Sequence, residues 1–352
     1  MRTPGVLKFG GSTFPDYDAY GLIAEALAGR VHDEERHFAV VVSAMPGETE
    51  RLRERLTTVN PHPEDASIAG LLTLADTVSA HLLASALHRR GMTATVLAGH
   101  QQGLRTDATF ARARLAHLDP GPLRQALAAH QIVLVPGGQA ADEQGRPTWL
   151  GKNSSDLSAV LVAAAVGADT CEIHSDVDGV YSADPNQVTG TRLLREVTYD
   201  TAALLSAHGA KVLHARSVKA AKQYGITLVC RVNRPPFRTG TVIGPEGAPV
   251  AGVVLNERSR VLAFATAEEA DKAHSVFRSE GVETVRLEGG AHIAVIGGYL
   301  DLEGFLDQHG LPRPQLLGIP VTQIQGSQVT THIAEDAAAA RQLAQRLHDD
   351  QY

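Results

Sequence analysis

Cysteine is scarce in this chain, with two residues, Cys171 and Cys230, among 352. Each lies inside a short apolar strand-like run, Cys-Glu-Ile-His-Ser or Thr-Leu-Val-Cys-Arg-Val, which argues against a disulfide framework and for buried thiols in a reducing cytoplasm. A basic excess is missing too. Lys and Arg number 32 against 39 Asp and Glu, the net charge is -7, and no basic block is interleaved with aromatics. No nucleic-acid or membrane partner is therefore expected, and small-molecule ligands are. No signal-peptide apolar region precedes the first strand, and no window reads as the roughly 18 apolar residues of a membrane span, so a cytoplasmic location is expected. The 16 histidines show no His-Glu-x-x-His or paired carboxylate and histidine spacing. No metal held by protein ligands is expected, and His174, His208 and His214 read as surface or satisfied core groups.

What is present is a sizeable apolar fraction, 43%, in a chain long enough for about two domains. Apolar runs of strand length (VLKF, FAVVVS, TATVL, IVLVP, CEIHS, ITLVCRV) alternate with helical patterns over 17–30, a helix-rich stretch to 90, 109–130, 155–167 and 199–224. That rhythm predicts an α/β domain, with a largely parallel sheet covered on both faces and ligands beyond the strand C-terminal ends. After turn-rich segments the pattern shortens. VLAFAT, a helix over 267–281, ETVRLE and HIAVIG read as β-α-β-β, and PVTQIQ, QVTTHIA and a helix over 335–349 read as a related unit. A boundary near 245–250 and a smaller α+β domain follow.

Two segments look chemical. Lys8-Phe9-Gly10-Gly11-Ser12-Thr13 puts a cation at a strand end before paired glycines, which let backbone N–H groups approach a phosphate, although a strand can also end in such a turn for no chemical reason. Gly151-Lys152-Asn153-Ser154-Ser155-Asp156 opens into the apolar run from Leu157 to Val166. Ser155 or Asp156 is expected to cap that helix, leaving its positive end toward an anion or simply making an N-capped surface helix.

These segments, with VVSAMPGETERL at 41–52, HSDVDGVYSADP at 174–185 and HGAKVLHARSV at 208–218, resemble the aspartate kinases of the amino-acid kinase superfamily in order and spacing. The resemblance covers roughly residues 5–245. The later units resemble that family's tandem ACT domains more loosely. It implies a three-layer α/β/α sandwich (amino-acid kinase fold) over residues 1–247, then a reduced tandem ACT-like domain over 248–352, with a homodimer through the latter. The implied reaction is Mg2+- and ATP-dependent phosphorylation of the side-chain carboxylate of aspartate. Lys8 and Asp156 are implied as the catalytic pair. Gly10, Gly11, Ser175, Asp176, Tyr181 and Lys211 join Lys8 on the nucleotide side, and Ser43, Thr49, Asp76, Lys152, Asn153, Ser154 and Ser155 form the acceptor side.

Departures from the family pattern carry their own expectations. The family's Gly-Arg-Gly-Gly-Ser-Asp is Gly151-Lys152-Asn153-Ser154-Ser155-Asp156 here, so an arginine fork becomes a point charge and two glycines gain side chains. The family's Gly-Glu is matched by Ala75-Asp76, one methylene shorter; an expected arginine is Asn186, and an expected proline is Ala215. The loops Ala265-Thr266-Ala267-Glu268-Glu269 and Gly297-Gly298-Tyr299-Leu300-Asp301 lack the family's Pro-Gly effector turn. A feedback-insensitive aspartate kinase is expected. The alternatives are a paralogue acting on another acidic amino acid or related carboxylate, and a catalytically silent regulatory subunit.

Overall fold

The computed structural model describes residues 2–210, 213–247, 250–297 and 301–352. They form two compact units, the stretch to Gly179 with Arg216–Pro245, and Val180–Ala215 with Glu246–Tyr352. In chain order the first unit supplies β1 (Gly5–Phe9), α1 (Asp18–Glu34), β2 (Phe38–Val42), α2 (Glu48–Val59), α3 (Asp65–Leu72) and α4 (Leu74–His88). Then come β3 (Ala94–Val96), β4 (Leu104–Thr106), β5 (Leu115–Leu118), α5 (Gly121–Ala129), β6 (Ile132–Pro136), β7 (Gln139–Ala141), β8 (Pro147–Trp149), α6 (Ser155–Val166) and β9 (Thr170–Ser175). The chain next enters the second unit through β10 (Val180–Tyr181), β11 (Leu193–Leu194), β12 (Glu196–Thr198) and α7 (Tyr199–Ala207). It resumes the first with α8 (Ala215–Tyr224), β13 (Thr227–Val232) and β14 (Thr239–Gly244). The second unit is completed by β15 (Ala251–Leu255), β16 (Arg260–Ala263), α9 (Ala267–Ser279), β17 (Thr284–Arg286), β18 (His292–Val295), α10 (Leu302–Gln308), β19 (Gln315–Gln325), β20 (Gln328–Ala334) and α11 (Ala337–Asp349).

Within the first unit the main sheet runs β14-β13-β9-β1-β2-β6-β3. Every neighbouring pair is parallel except β13 with β14. All five residues of β1 and all five of β2 are buried, as a strand covered on both faces requires. Alternation divides them. Leu7, Phe9, Val40 and Val42 pack with Tyr20, Ile23 and Leu27 of α1 and Leu83 and Leu87 of α4. Lys8 takes the opposite face, where α6 lies against β1, β2 and β9. Helices thus cover both faces of a largely parallel sheet, the α/β/α arrangement expected.

The structure differs from the sequence reading in four places. Only Gly121–Ala129 of the expected helix over 109–130 is an α-helix; Leu115–Leu118 pairs with β4 in a four-stranded sheet of order β5-β4-β7-β8. The expected helix over 199–224 is two helices, with α7 ending at Ala207 and capped by His208 before Gly209, whose φ of 104° suits glycine. A short helix, α10, lies between the expected strand units. Lastly, α3 and α4 run together as Asp65–His88, a stretch of 24 residues whose most apolar 18-residue window has a mean hydropathy of 1.4, long and apolar enough to cross a membrane. Here it is a core element, with Ala80, Leu83, Ala84 and Leu87 buried.

In the second unit β15-β19-β16-β18-β17, with β20 on β19, make a six-stranded sheet. Side chains from β16, α9, β18 and α10 fill one core around Phe277, Ile293 and Phe305. A second core joins β15, the far half of β19, β20 and α11. β19 therefore serves two half-sheets, which gives the α+β, ACT-like character expected from the pattern.

Candidate active site

Lys8 stands one residue before the end of β1, and strand alternation aims it at the first turn of α6. Its Nζ lies 2.7 Å from Asp156 Oδ1, with the two side chains 11% and 13% exposed. A buried ammonium needs such a partner, and a carboxylate in the first turn of a helix is further favoured by the helix dipole. The contact is an ion pair with no aligned hydrogen bond to Oδ1.

Of the two glycines that follow, Gly11 is required by space and Gly10 is tight against Lys8. A Cβ on Gly11 would lie 2.6 Å from the carbonyl oxygen of Ala44, and one on Gly10 would lie 3.2 Å from Lys8 Nζ. The Gly10 N–H donates to the His174 carbonyl at 3.1 Å, which fixes the loop after β1 against the end of β9.

In the segment before α6 the expected cap is corrected. Ser154 is the N-cap, Ser155 and Asp156 are the first two helical residues, and no side chain caps the helix. The reason is local: Ser154 Oγ donates to the Gly151 carbonyl at 2.6 Å, closing the turn on itself. Asn153 sits at φ 59°, a left-handed conformation that asparagine tolerates better than most residues. Lys152 is half exposed, and its Nζ lies 3.5 Å from Glu50 Oε1 on α2.

The segment after β2 closes the same region. Ser43 donates its N–H to the Phe9 carbonyl at 3.0 Å. Asp76 of α4 is buried, and its Oδ1 accepts the Ala44 N–H at 3.0 Å. Burial pushes this carboxyl up to about 7, although the Ala44 hydrogen bond and the charge of Lys8 oppose the shift. Thr49 lies in the first turn of α2, whose N-cap is Gly47 at φ 82°, so it is not a cap. The structure thus gathers Lys8, Gly10, Gly11, Ser43 and Asp76 around the end of β1, with Asp156 behind Lys8.

Of the residues expected on the nucleotide side, Ser175 ends β9, and its Oγ and that of Ser12 each lie 3.3 Å from Asp176 Oδ1. Asn233, just after β13, donates from Nδ2 to Ser12 Oγ and Thr13 Oγ1 at 3.1 and 3.3 Å. Tyr181 belongs to the second unit, where β10 pairs it with Leu193. Lys211 lies outside the described residues.

Sequence reasoning placed Ser12 and Thr13 in a chemical segment without giving them a role, and missed Asn233 and the Gly137-Gly138 turn after β6. A Cβ on Gly137 would meet Ser155 Oγ at 2.5 Å, and the Gly138 N–H donates to Ser158 Oγ at 2.9 Å. The available signal was the one used for Gly10-Gly11, a glycine pair at a strand end. Asn233 had none, because a lone asparagine before prolines reads as an ordinary turn.

Beneath the site, Glu172 on β9 takes a bidentate pair of bonds from Arg30 at 2.8 Å and contacts Arg231 at 3.0 Å and His174 at 3.2 Å. Burial alone would raise its carboxyl, but hydrogen bonds from His174 and Arg30 and the charges of Arg30 and Arg231 hold it at about 2. A carboxylate lowered from 4.5 to about 2 stabilises the fold above pH 4.5 and loses that contribution as pH falls toward 2. The full effect is about 3 kcal/mol. Urea midpoints measured between pH 6 and pH 3 are expected to fall more steeply in the native protein than in Glu172→Gln, which starts lower and lacks this slope.

Both cysteines are free and buried, and burial pushes the Cys230 thiol up to about 12. Among the described residues no group of three or more His, Cys, Asp or Glu side chains could hold a metal ion.

The amino acid kinase family model matches residues 5–231. An aspartokinase of Bacillus sp. (strain MGA3) is 35% identical over 283 residues, covering 77% of this chain and 67% of that protein. One from Thermus thermophilus is 36% identical over 238 residues, 68% of this chain and 58% of its own length. The chain thus spans less than two thirds of several curated relatives. Among solved structures, Escherichia coli aspartokinase III in complex with aspartate and ADP has a TM-score of 0.75 at 19% identity, covering 99% of both chains. The aspartate kinase of Synechocystis has a TM-score of 0.61 at 26% identity, covering 91% of this chain and 60% of that one. With the family model spanning most of the chain, and aspartokinases the relatives it matches, the chain belongs to the amino acid kinase family, in its aspartokinase group.

Proposed function

We propose that the chain transfers the γ-phosphoryl group of ATP to the side-chain carboxylate of L-aspartate. A carboxylate oxygen forms the new P–O bond, the bond to ADP breaks, and 4-phospho-L-aspartate leaves with ADP. The observation that carries this reading is the buried Lys8–Asp156 pair beside the Gly10-Gly11 loop. Phosphoryl transfer needs positioned positive charge more than covalent help, and Lys8 supplies it where the glycines leave room. Asp156 holds the ammonium, which has three N–H donors and so keeps some to turn toward a phosphoryl oxygen. Asp76 offers an anion to the substrate ammonium, Lys152 a cation to its second carboxylate, and Ser43 and Thr49 offer hydroxyls. Ser155 and the uncapped first turn of α6 add N–H donors. Ser175, Asp176, Tyr181 and Lys211 complete the nucleotide side. With no cage of protein carboxylates among the described residues, Mg2+ fits as an ion held mainly by the nucleotide phosphates, whose charge it neutralises.

The test is hydroxylamine trapping of the acyl phosphate across a panel of acidic amino acids and related carboxylates, in which aspartate is expected to give the highest rate. A different acceptor ranking first would overturn the substrate assignment. One observation favours that second reading: Lys152 is already engaged by Glu50, and a point charge replaces a fork. The triple variant Lys152→Arg, Asn153→Gly, Ser154→Gly is expected to lower the KM for aspartate about tenfold, since charged contacts are worth roughly 1.5–3 kcal/mol. An unchanged ranking and unchanged KM would show that this segment does not select the acceptor.

Residues 1–247 are proposed as the catalytic domain, and 248–352 as a reduced ACT-like domain through which the chain forms a homodimer. Feedback insensitivity is supported by the start of α9. Thr266 caps it by accepting the Glu269 N–H at 3.2 Å, and Glu269 reaches back to accept the Ala265 N–H at 3.0 Å. Backbone groups that would clasp a free amino acid are thereby occupied. Part of the second loop lies outside the described residues. Lysine or threonine at low millimolar concentration is expected to change the initial rate by less than twofold. Strong inhibition by either would contradict this.

A further inference from the structure

The short antiparallel pair β10–β11 carries Tyr181, assigned above to the nucleotide side, and its surroundings in the second unit are unusually specified. Ser182, next to Tyr181, is fully buried, and its Oγ lies 2.9 Å from Nε2 of His348, itself 2% exposed, in the last turn of α11. The Arg192 N–H donates to the same Oγ at 2.8 Å, so this one hydroxyl ties both ends of the β10–β11 connection to α11. One turn earlier on α11, Gln345 Oε1 accepts both the N–H and the hydroxyl of Thr189, at 2.9 and 3.0 Å, while its Nε2 donates to the Thr189 carbonyl at 3.3 Å. The Arg192 guanidinium stacks 4.5 Å from the Tyr352 ring centroid and donates to the Tyr352 carbonyl at 3.1 Å. The spacing of Gln345 and His348 is that of one helix face, and i, i+3 neighbours on α11 therefore grip the β10–β11 loop at its start, Ser182, and again at Thr189.

Such contacts exceed what packing alone needs. Ala183 and Val188 already lie in the apolar core with Ala340 and Ala344 of α11, so an apolar residue could fill the place of His348. A buried hydroxyl–imidazole pair instead fixes orientation, because an unmade bond there is costly.

We propose that Gln345 and His348 of α11 are positioning residues for the nucleotide segment, holding Tyr181 and its neighbours in the geometry that receives ATP. The inference rests on the nucleotide role assigned to that segment. C-terminal residues would then set the affinity for ATP without touching it, and a change that moves α11 would be read as a change in ATP affinity.

The test compares native protein with Gln345→Ala, His348→Ala and the conservative His348→Gln, by calorimetric ATP binding and by steady-state kinetics. KM and Kd for ATP are expected to rise about tenfold in the two alanine variants, with kcat and the KM for aspartate within twofold of native and partial recovery in His348→Gln. Gln345→Ala removes only a half-buried polar group, so it carries the test if His348→Ala does not fold. ATP affinity unchanged within twofold in a folded Gln345→Ala, or parallel losses in both substrates, would overturn the positioning role. Native protein that binds no ATP would instead overturn the nucleotide assignment itself, and the inference with it.

Discussion

Lys8→Ala is expected to lower kcat by on the order of 10²-fold or more while leaving ATP affinity within a few fold, as for a charge whose stabilisation is greatest in the transition state. Lys8 is the one charged residue in a strand buried on both faces, held 2.7 Å from Asp156 and within reach of the backbone of Gly10. A lysine kept there for structure alone would be a poor choice, because a well-packed apolar residue is often as stable as a buried ion pair. Removing Lys8 also leaves Asp156 buried without its partner, so stability is measured alongside the rate. A loss of rate at unchanged thermal midpoint supports the catalytic role, and near-native turnover contradicts it.

The second large effect concerns Asp76. If it holds the substrate ammonium, Asp76→Asn is expected to raise the KM for aspartate by about 10- to 150-fold, the equivalent of one charged hydrogen bond at roughly 1.5–3 kcal/mol. The sign of the pH dependence follows from burial. With its carboxyl pushed up to about 7 in the free protein, Asp76 is protonated in acid and presents an anion only as pH rises through that value. Because kcat/KM reports the free enzyme, it is expected to climb from pH 6 to pH 8 and then level, and Asp76→Asn is expected to lower and flatten the curve. A pH-independent kcat/KM in the native protein would remove Asp76 from the acceptor pocket.

How much of this was legible in the sequence depended on whether a signal is periodic. β1, β2, β6, β9 and β13 stood out because buried parallel strands are nearly continuous apolar runs. The small sheet of β4, β5, β7 and β8 did not, since its strands are three or four residues long and too short to show a period. Lys8 and Asp156 were legible as residues but not as a contact; their meeting depends on α6 crossing the face of β1 that strand alternation assigns to Lys8. The cap was misjudged because Ser154, Ser155 and Asp156 are all good caps, and the choice among them turned on one bond to Gly151. Asp76 is an acidic residue in an apolar helix, and only the fold shows that it faces Ala44 rather than solvent.

The most direct measurement of phosphoryl transfer to a carboxylate uses aspartate labelled with 18O in its side-chain carboxylate. The labelled substrate is incubated with protein, ATP, Mg2+ and hydroxylamine. Hydroxylamine attacks the acyl carbon, so the phosphate released from 4-phosphoaspartate is expected to carry one carboxylate oxygen, in an amount equal to the hydroxamate formed. Unlabelled phosphate with no hydroxamate would mean that the chain at most hydrolyses ATP, and the assignment of Lys8, Asp156 and Asp76 to carboxylate phosphorylation would fall.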